Sequence, residues 1–139
     1  MTIRPFHLAI KVDDLSTARD FYGQLMGCKE GRSSDEWIDF DFFGHQVVVH
    51  LSDCQSRDSS ANHVDGNDVP VPHFGIVLDM SSWQILAEKL SKAKVNFLIP
   101  PTLRFKGKPG EQATMFLRDP AGNALEFKAF QDDKMLFSS

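Results

Sequence analysis

The tetrapeptide His7-Leu8-Ala9-Ile10 returns 66 positions later as His73-Phe74-Gly75-Ile76, and Asp13 returns at the same offset as Asp79. The same order of elements can be read outward from each copy. In the first, Phe6 to Val12 reads as a strand bounded by Pro5 and by Asp13-Asp14. Leu15, Ala18, Tyr22 and Leu25 then recur at helical spacing, with Asp14 or Ser16 as N-cap and Gly27 as stop. Strands are expected over 28–32, 36–43 and 45–51, the last two joined by a tight hairpin at Gly44. The second copy has a strand over 71–78 and a helix carrying Trp83, Leu86, Ala87 and Leu90, capped by Ser81 or Ser82. A short strand over 96–99 is expected to end at Pro100-Pro101. A Gly/Pro/Lys-rich loop runs to Gln112, and strands 113–117 and 124–130 flank the turn Asp119-Pro120-Ala121-Gly122-Asn123.

Each copy is therefore βαβββ. The expected organisation is one domain over 1–139, made of two modules (about 5–51 and 70–130) joined by a polar linker, 52–68. A helix covers one face of each module's sheet and leaves the other face needing cover. The fold class expected is α+β, with two βαβββ modules forming a half-open, cup-shaped eight-stranded sheet and helices on its outside.

Composition narrows the function. A chain of 139 residues can bury a core without a disulfide or structural metal as a staple. Its net charge of −4 offers no basic field for nucleic acid or an anionic membrane. No apolar run approaches the ~18 residues of a membrane span. Arg4, Lys11, Asp13 and Asp14 leave no signal-peptide core, and Cys28 and Cys54 form no CxxC pair. Both thiols read as reduced, so a cytoplasmic protein is expected.

Strand parity then sorts the polar residues. Leu8, Ile10 and Val12 form the row that should meet a helix, with His7 on the opposite face. The same alternation sets His73 against Phe74, Ile76 and Leu78; Glu126 against Leu125, Phe127 and Ala129; and His50 against Val47, Val49 and Leu51. A carboxylate buried without a partner is costly, so Glu126 calls for a cation. Two neutral imidazoles and one carboxylate suit a divalent transition metal. Arg104, Lys106 and Lys108 lie where they could hold a substrate carboxylate or phosphate. Phe40, Phe42, Trp37 and Met115 are candidate pocket walls, with core packing as the competing reading.

Three motifs carry a resemblance: Phe-His-Leu-Ala-Ile with Ala-Arg-Asp-Phe-Tyr, Pro-His-Phe-Gly-Ile-Val-Leu, and Arg-Asp-Pro-Ala-Gly-Asn-Ala-Leu-Glu-Phe. Spanning Phe6 to Phe130, they resemble the vicinal oxygen chelate superfamily, which holds glyoxalase I, extradiol dioxygenases, and fosfomycin- and bleomycin-resistance proteins. The resemblance implies His7, His73 and Glu126 as metal ligands. It sets His50 where glyoxalase I has a glutamate ligand, which makes His50 a fourth ligand or an acid–base group beside the metal. It implies one divalent ion per site, Fe2+ favoured, with Zn2+, Ni2+ or Mn2+ as others, and a homodimer. The function it implies is an extradiol-type dioxygenase acting on vicinal oxygens, with Glu126 and His50 as catalytic groups. A glyoxalase I-like lyase, fosfomycin-type thiol transfer and a metal-free binding protein are the alternatives.

Overall fold

A computed structural model describes residues 2–53, 60–64 and 67–138. The chain divides into two compact units, Met1–Asp58 with Asp119–Asn123, and Ser59–Arg118 with Ala124–Ser139. Each contains one four-stranded mixed sheet.

In the first unit, β1 (His7–Val12), β2 (Lys29–Ser33), β3 (Trp37–Phe42) and β4 (His45–Leu51) form a sheet in the order β1-β4-β3-β2. The β1–β4 pair is parallel and the others are antiparallel. Phe43 and Gly44 both take positive φ, the geometry a two-residue hairpin needs to match strand twist. The expected helix starts where Asp14 accepts a hydrogen bond from the Thr17 amide, as α1 (Leu15–Ala18). It then widens into a π-helical stretch, Arg19–Leu25, with the Met26 amide donating to the Phe21 carbonyl five residues back. Phe21 and Tyr22 are both buried there and meet edge to face at 4.8 Å.

Tyr22 also donates to the Asp119 carboxylate at 2.7 Å. Asp119 is the one buried charged side chain among the described residues, and its oxygens also accept from the Asn123 amide and Asn123 Nδ2, both at 2.8 Å. Asn123 Nδ2 donates besides to the Lys11 carbonyl. These bonds give the polar groups of the 119–123 turn the partners that burial demands, which is why the turn belongs to the first unit.

The second unit repeats the pattern. Its strands β7 (Phe74–Leu78), β8 (Phe97–Arg104), β9 (Gln112–Arg118) and β10 (Ala124–Phe130) lie in the order β7-β10-β9-β8, with β7 and β10 parallel. Helix α2 (Met80–Lys92) buries Trp83, Leu86, Ala87 and Leu90, and Trp83 Nε1 donates to the Phe127 carbonyl at 2.9 Å. The α+β fold of two βαβββ modules expected from the sequence is the one found.

Four local readings change. The cap of α2 is Asp79, not Ser81 or Ser82; the Ser82 amide and both serine hydroxyls hold its carboxyl down at about 2. Strand β8 runs on through Pro100-Pro101 instead of ending there. It is an edge strand with two register shifts, so a missing N–H costs no ladder bond. The expected linker contains an antiparallel hairpin, β5 (Ser60–Val64) with β6 (Asn67–Val71), while Cys54 and residues 55–59, 65 and 66 lie outside the described residues. The strand expected over 71–78 is divided, with Val71 closing β6, a cis bond to Pro72, and β7 beginning only at Phe74.

Gly75 faces Glu126 in the parallel ladder, and a Cβ there would fall on the Glu126 carbonyl oxygen. Backbone, unlike a flexible side chain, cannot give way cheaply. Gly75→Ala should therefore destabilise the protein by about 2 kcal/mol or more, read as a lower urea midpoint at unchanged m-value.

Candidate metal centre

His73 lies one residue before β7, on the face shared by Glu126 of β10 and Phe116 and Thr114 of β9. His73 Nε2 is 3.3 Å from Glu126 Oε1, with the imidazole 28% and the carboxylate 17% exposed. The other ring nitrogen, Nδ1, is 2.7 Å from the Pro70 carbonyl, and the ring packs edge-on against Phe116 at 5.0 Å between centroids. Thr114 Oγ1 donates to the second carboxylate oxygen, Oε2, at 2.6 Å.

A carbonyl only accepts, so Nδ1 must carry a proton. In the neutral ring Nε2 is then a bare lone pair aimed at a carboxylate oxygen. Two acceptors 3.3 Å apart require something positive between or beside them, either a proton on Nε2 or a metal ion. An imidazole whose far nitrogen donates to a carbonyl is the usual arrangement for a ligating histidine.

His7, at the start of β1, is held in the matching way, with Nδ1 2.7 Å from Gln46 Oε1. Both members of the His7/His73 repeat thus have Nδ1 engaged by an oxygen, which in the neutral ring leaves the lone pair on Nε2. Among the described residues no three His, Cys, Asp or Glu side chains are gathered as a metal would need. The His73–Glu126 pair lies within the second unit and His7 within the first.

The register sets His50 apart from the position equivalent to Glu126. The β1–β4 register opposes His7 to Gln46 and Lys11 to His50, so the two histidines stand four residues apart along parallel strands, ~13 Å. The β7–β10 register opposes Gly75 to Glu126, and the equivalent pair in the first unit is Ala9 and Val48. Val48, not His50, is the repeat mate of Glu126. His50 instead forms a cross-strand row with Lys11 and Trp37, above whose ring Arg32 sits at 5.8 Å.

Phe40, Phe42 and Met115, weighed as pocket walls, are core residues. All three are at most 2% exposed and lie on the faces opposite those of the histidines and Glu126. Arg104 ends β8 opposite Gln112, on the Thr114 side of the sheet, and stacks on Phe105 at 5.0 Å. Lys106 and Lys108 are exposed in the loop that follows.

Gln46, Thr114 and Phe116 were missed in the sequence, although parity with Glu126 and His50 puts them on the functional faces. A further check concerns the tautomer. Long-range proton–nitrogen NMR of the neutral His73 ring should show Nδ1 protonated and Nε2 bare; the reverse assignment would contradict the Pro70 contact.

Comparison with known proteins agrees with this architecture. The family model described as Glyoxalase/Bleomycin resistance protein/Dioxygenase superfamily matches residues 4–127. A glyoxalase/bleomycin resistance protein/dioxygenase from Alicyclobacillus acidocaldarius is 38% identical, with 96% of each chain covered and a TM-score of 0.77. The fosfomycin resistance protein FosX from Listeria monocytogenes shares the fold at 16% identity and a TM-score of 0.71, with 97% of this chain and 99% of that one covered. Lactoylglutathione lyase from Agrobacterium tumefaciens does so at 18% identity and 0.63, covering 99% and 97%. No curated protein matches the chain. The repeated βαβββ unit, its strand order and the match over 4–127 place this chain in the glyoxalase/bleomycin resistance protein/dioxygenase superfamily.

Proposed function

We propose that this chain is a metal-dependent enzyme of the extradiol-dioxygenase type, with His7, His73 and Glu126 holding one divalent ion, Fe2+ in preference to Zn2+, Ni2+ or Mn2+. The observation that carries the reading is the shared state of the two histidines, each with Nδ1 held by an oxygen, and His73 Nε2 turned to the Glu126 carboxylate. A bound ion of this kind supplies a Lewis acid and template for a substrate with two adjacent oxygens and for O2.

The chain's own residues prepare that site. Pro70 and Gln46 fix the ring tautomers, and Thr114 holds Oε2 so that Oε1 stays turned toward His73. Phe116, 4% exposed, packs the His73 ring in place. Val48 bears on the choice between dioxygenase and glyoxalase I-like lyase. The lyase uses a second glutamate ligand in the first module, and the position equivalent to Glu126 there is a valine. A set of two imidazoles and one carboxylate leaves adjacent coordination positions open, as oxygen chemistry requires. In this reading His50 is outside the ligand set.

Metal analysis of protein purified without chelator, paired with oxygen-electrode assays on a panel of catechols, tests the proposal. Roughly one iron per chain is expected, with oxygen uptake on addition of a catechol. His73→Ala should weaken metal binding by at least tenfold while the circular dichroism is unchanged, since the core rows lie on the other face. Retained zinc or nickel with no oxygen uptake would support the lyase. No metal after loading with iron, zinc or nickel would leave the binding-protein reading.

The homodimer implied by the family resemblance is part of the proposal. Light scattering at micromolar concentration should give twice the chain mass, and a monomer mass would refute it.

A further inference from the structure

In strand β6, Asp68 and Val71 are exposed, but Val69 and Pro70 between them are buried. Val69 joins Ile99 and Phe116 in a small apolar cluster. Ile99 of β8 pairs with Phe116 of β9, which in turn pairs with Glu126 of β10. The cluster therefore lies in the Glu126 row, on the face opposite the main core of Met115, Leu117, Leu125 and Phe127. A connecting hairpin would have no need of such an anchor if it only joined two modules.

Two contacts tie this anchor to His73. Phe116, on which Val69 packs, meets the imidazole edge-on at 5.0 Å. Pro70, the next residue after Val69, presents its carbonyl to Nδ1 at 2.7 Å. The contacts close a ring, from Val69 to Phe116, to His73, to Pro70, and back to Val69 through the chain. A neutral imidazole carries one proton and here has an acceptor on either side, the Pro70 carbonyl and Glu126 Oε1 at 3.3 Å. The carboxylate is the stronger acceptor of the two. If the carbonyl withdrew, the proton would settle on Nε2 and donate to Glu126, and the lone pair would lie on Nδ1, away from any ion held with the carboxylate. We propose that Val69 is a positioning residue for the candidate metal centre: its packing on Ile99 and Phe116 keeps the Pro70 carbonyl on Nδ1 and the lone pair on Nε2. The inference rests on the proposed metal site for its consequence, metal affinity, but the hold on the His73 ring needs no metal.

The test compares Val69→Ala and Val69→Ile with Leu86→Ala, a control that removes a buried side chain of α2. Each full chain is stripped with chelator, and long-range proton–nitrogen NMR is recorded where the His73 ring is neutral. The wild-type chain and Val69→Ile should keep the proton on Nδ1, whereas Val69→Ala should move it to Nε2 in a large fraction of molecules. Zn2+ added to the same samples should bind about tenfold more weakly to Val69→Ala than to the wild-type chain, with Val69→Ile close to wild type. Leu86→Ala should unfold at lower urea yet change neither readout. If Val69→Ala does not fold, Ile99→Val trims the other side of the cluster and should shift both readouts in the same direction, by less. The proposal is overturned by a wild-type ring already protonated on Nε2, or by an Nδ1 proton retained in the cluster variant that folds. It is overturned equally by an effect as large in Leu86→Ala, or by unchanged Zn2+ affinity in a chain whose proton has moved. Failure of every chain, wild type included, to bind Zn2+ would count against the metal reading, and the tautomer comparison would still decide this one.

Discussion

The parallel register between β7 and β10 is the constraint from which the second unit's chemistry follows. It opposes Gly75 to Glu126, and because Gly75 has no side chain the Glu126 backbone can lie close against it. One residue before the strand, His73 is thereby brought to the Glu126 carboxylate at 3.3 Å. A slip of one residue would turn Glu126 toward Trp83 and Leu90 and bring Leu125 and Phe127 to the open face. The packed face, where Met115, Leu117, Leu125 and Phe127 are fully buried, resists that slip. The core therefore holds the functional face in place from behind.

The His73–Glu126 contact is an unusual thing to build for stability alone. A partly exposed ion pair contributes little, and a neutral imidazole presenting a lone pair to a carboxylate is unfavourable. Yet three neighbours hold this geometry: Pro70 at Nδ1, Phe116 at the ring and Thr114 at Oε2. Asp119 offers the contrast. It is more deeply buried than Glu126, but its carboxylate faces only donors, Tyr22 and Asn123, and its work is to tie down a turn. Two carboxylates in one chain thus divide between structure and chemistry according to whether donors or another acceptor face them.

Duplication relates the two modules closely at their first strands and less closely at their last. His7 and His73 are equivalent in sequence and equivalent in hydrogen bonding, each with Nδ1 on an oxygen. The equivalence stops at the last strand of each module, where Glu126 has Val48 as its counterpart. His50, two residues further on, shares the parity of Val48 but not its place along the strand. Parity assigns a face, whereas register assigns a place along it.

Local pattern was enough for the βαβββ order of each module, the hairpin at Gly44, the helix stop at Gly27 and the faces of His7, His73 and Glu126, because alternation and turn chemistry are written within a few residues. It was also enough for a family resemblance that the match over 4–127 bears out. Tertiary structure alone decided the rest. Pro100-Pro101 could continue a strand because β8 is an edge, which depends on where three other strands lie. Phe40, Phe42 and Met115 became core because helices cover their faces, and Thr114 and Gln46 gained their places from partners on neighbouring strands. Those facts depend on strand register, a property of pairs of segments distant in sequence, and no window along one segment contains it.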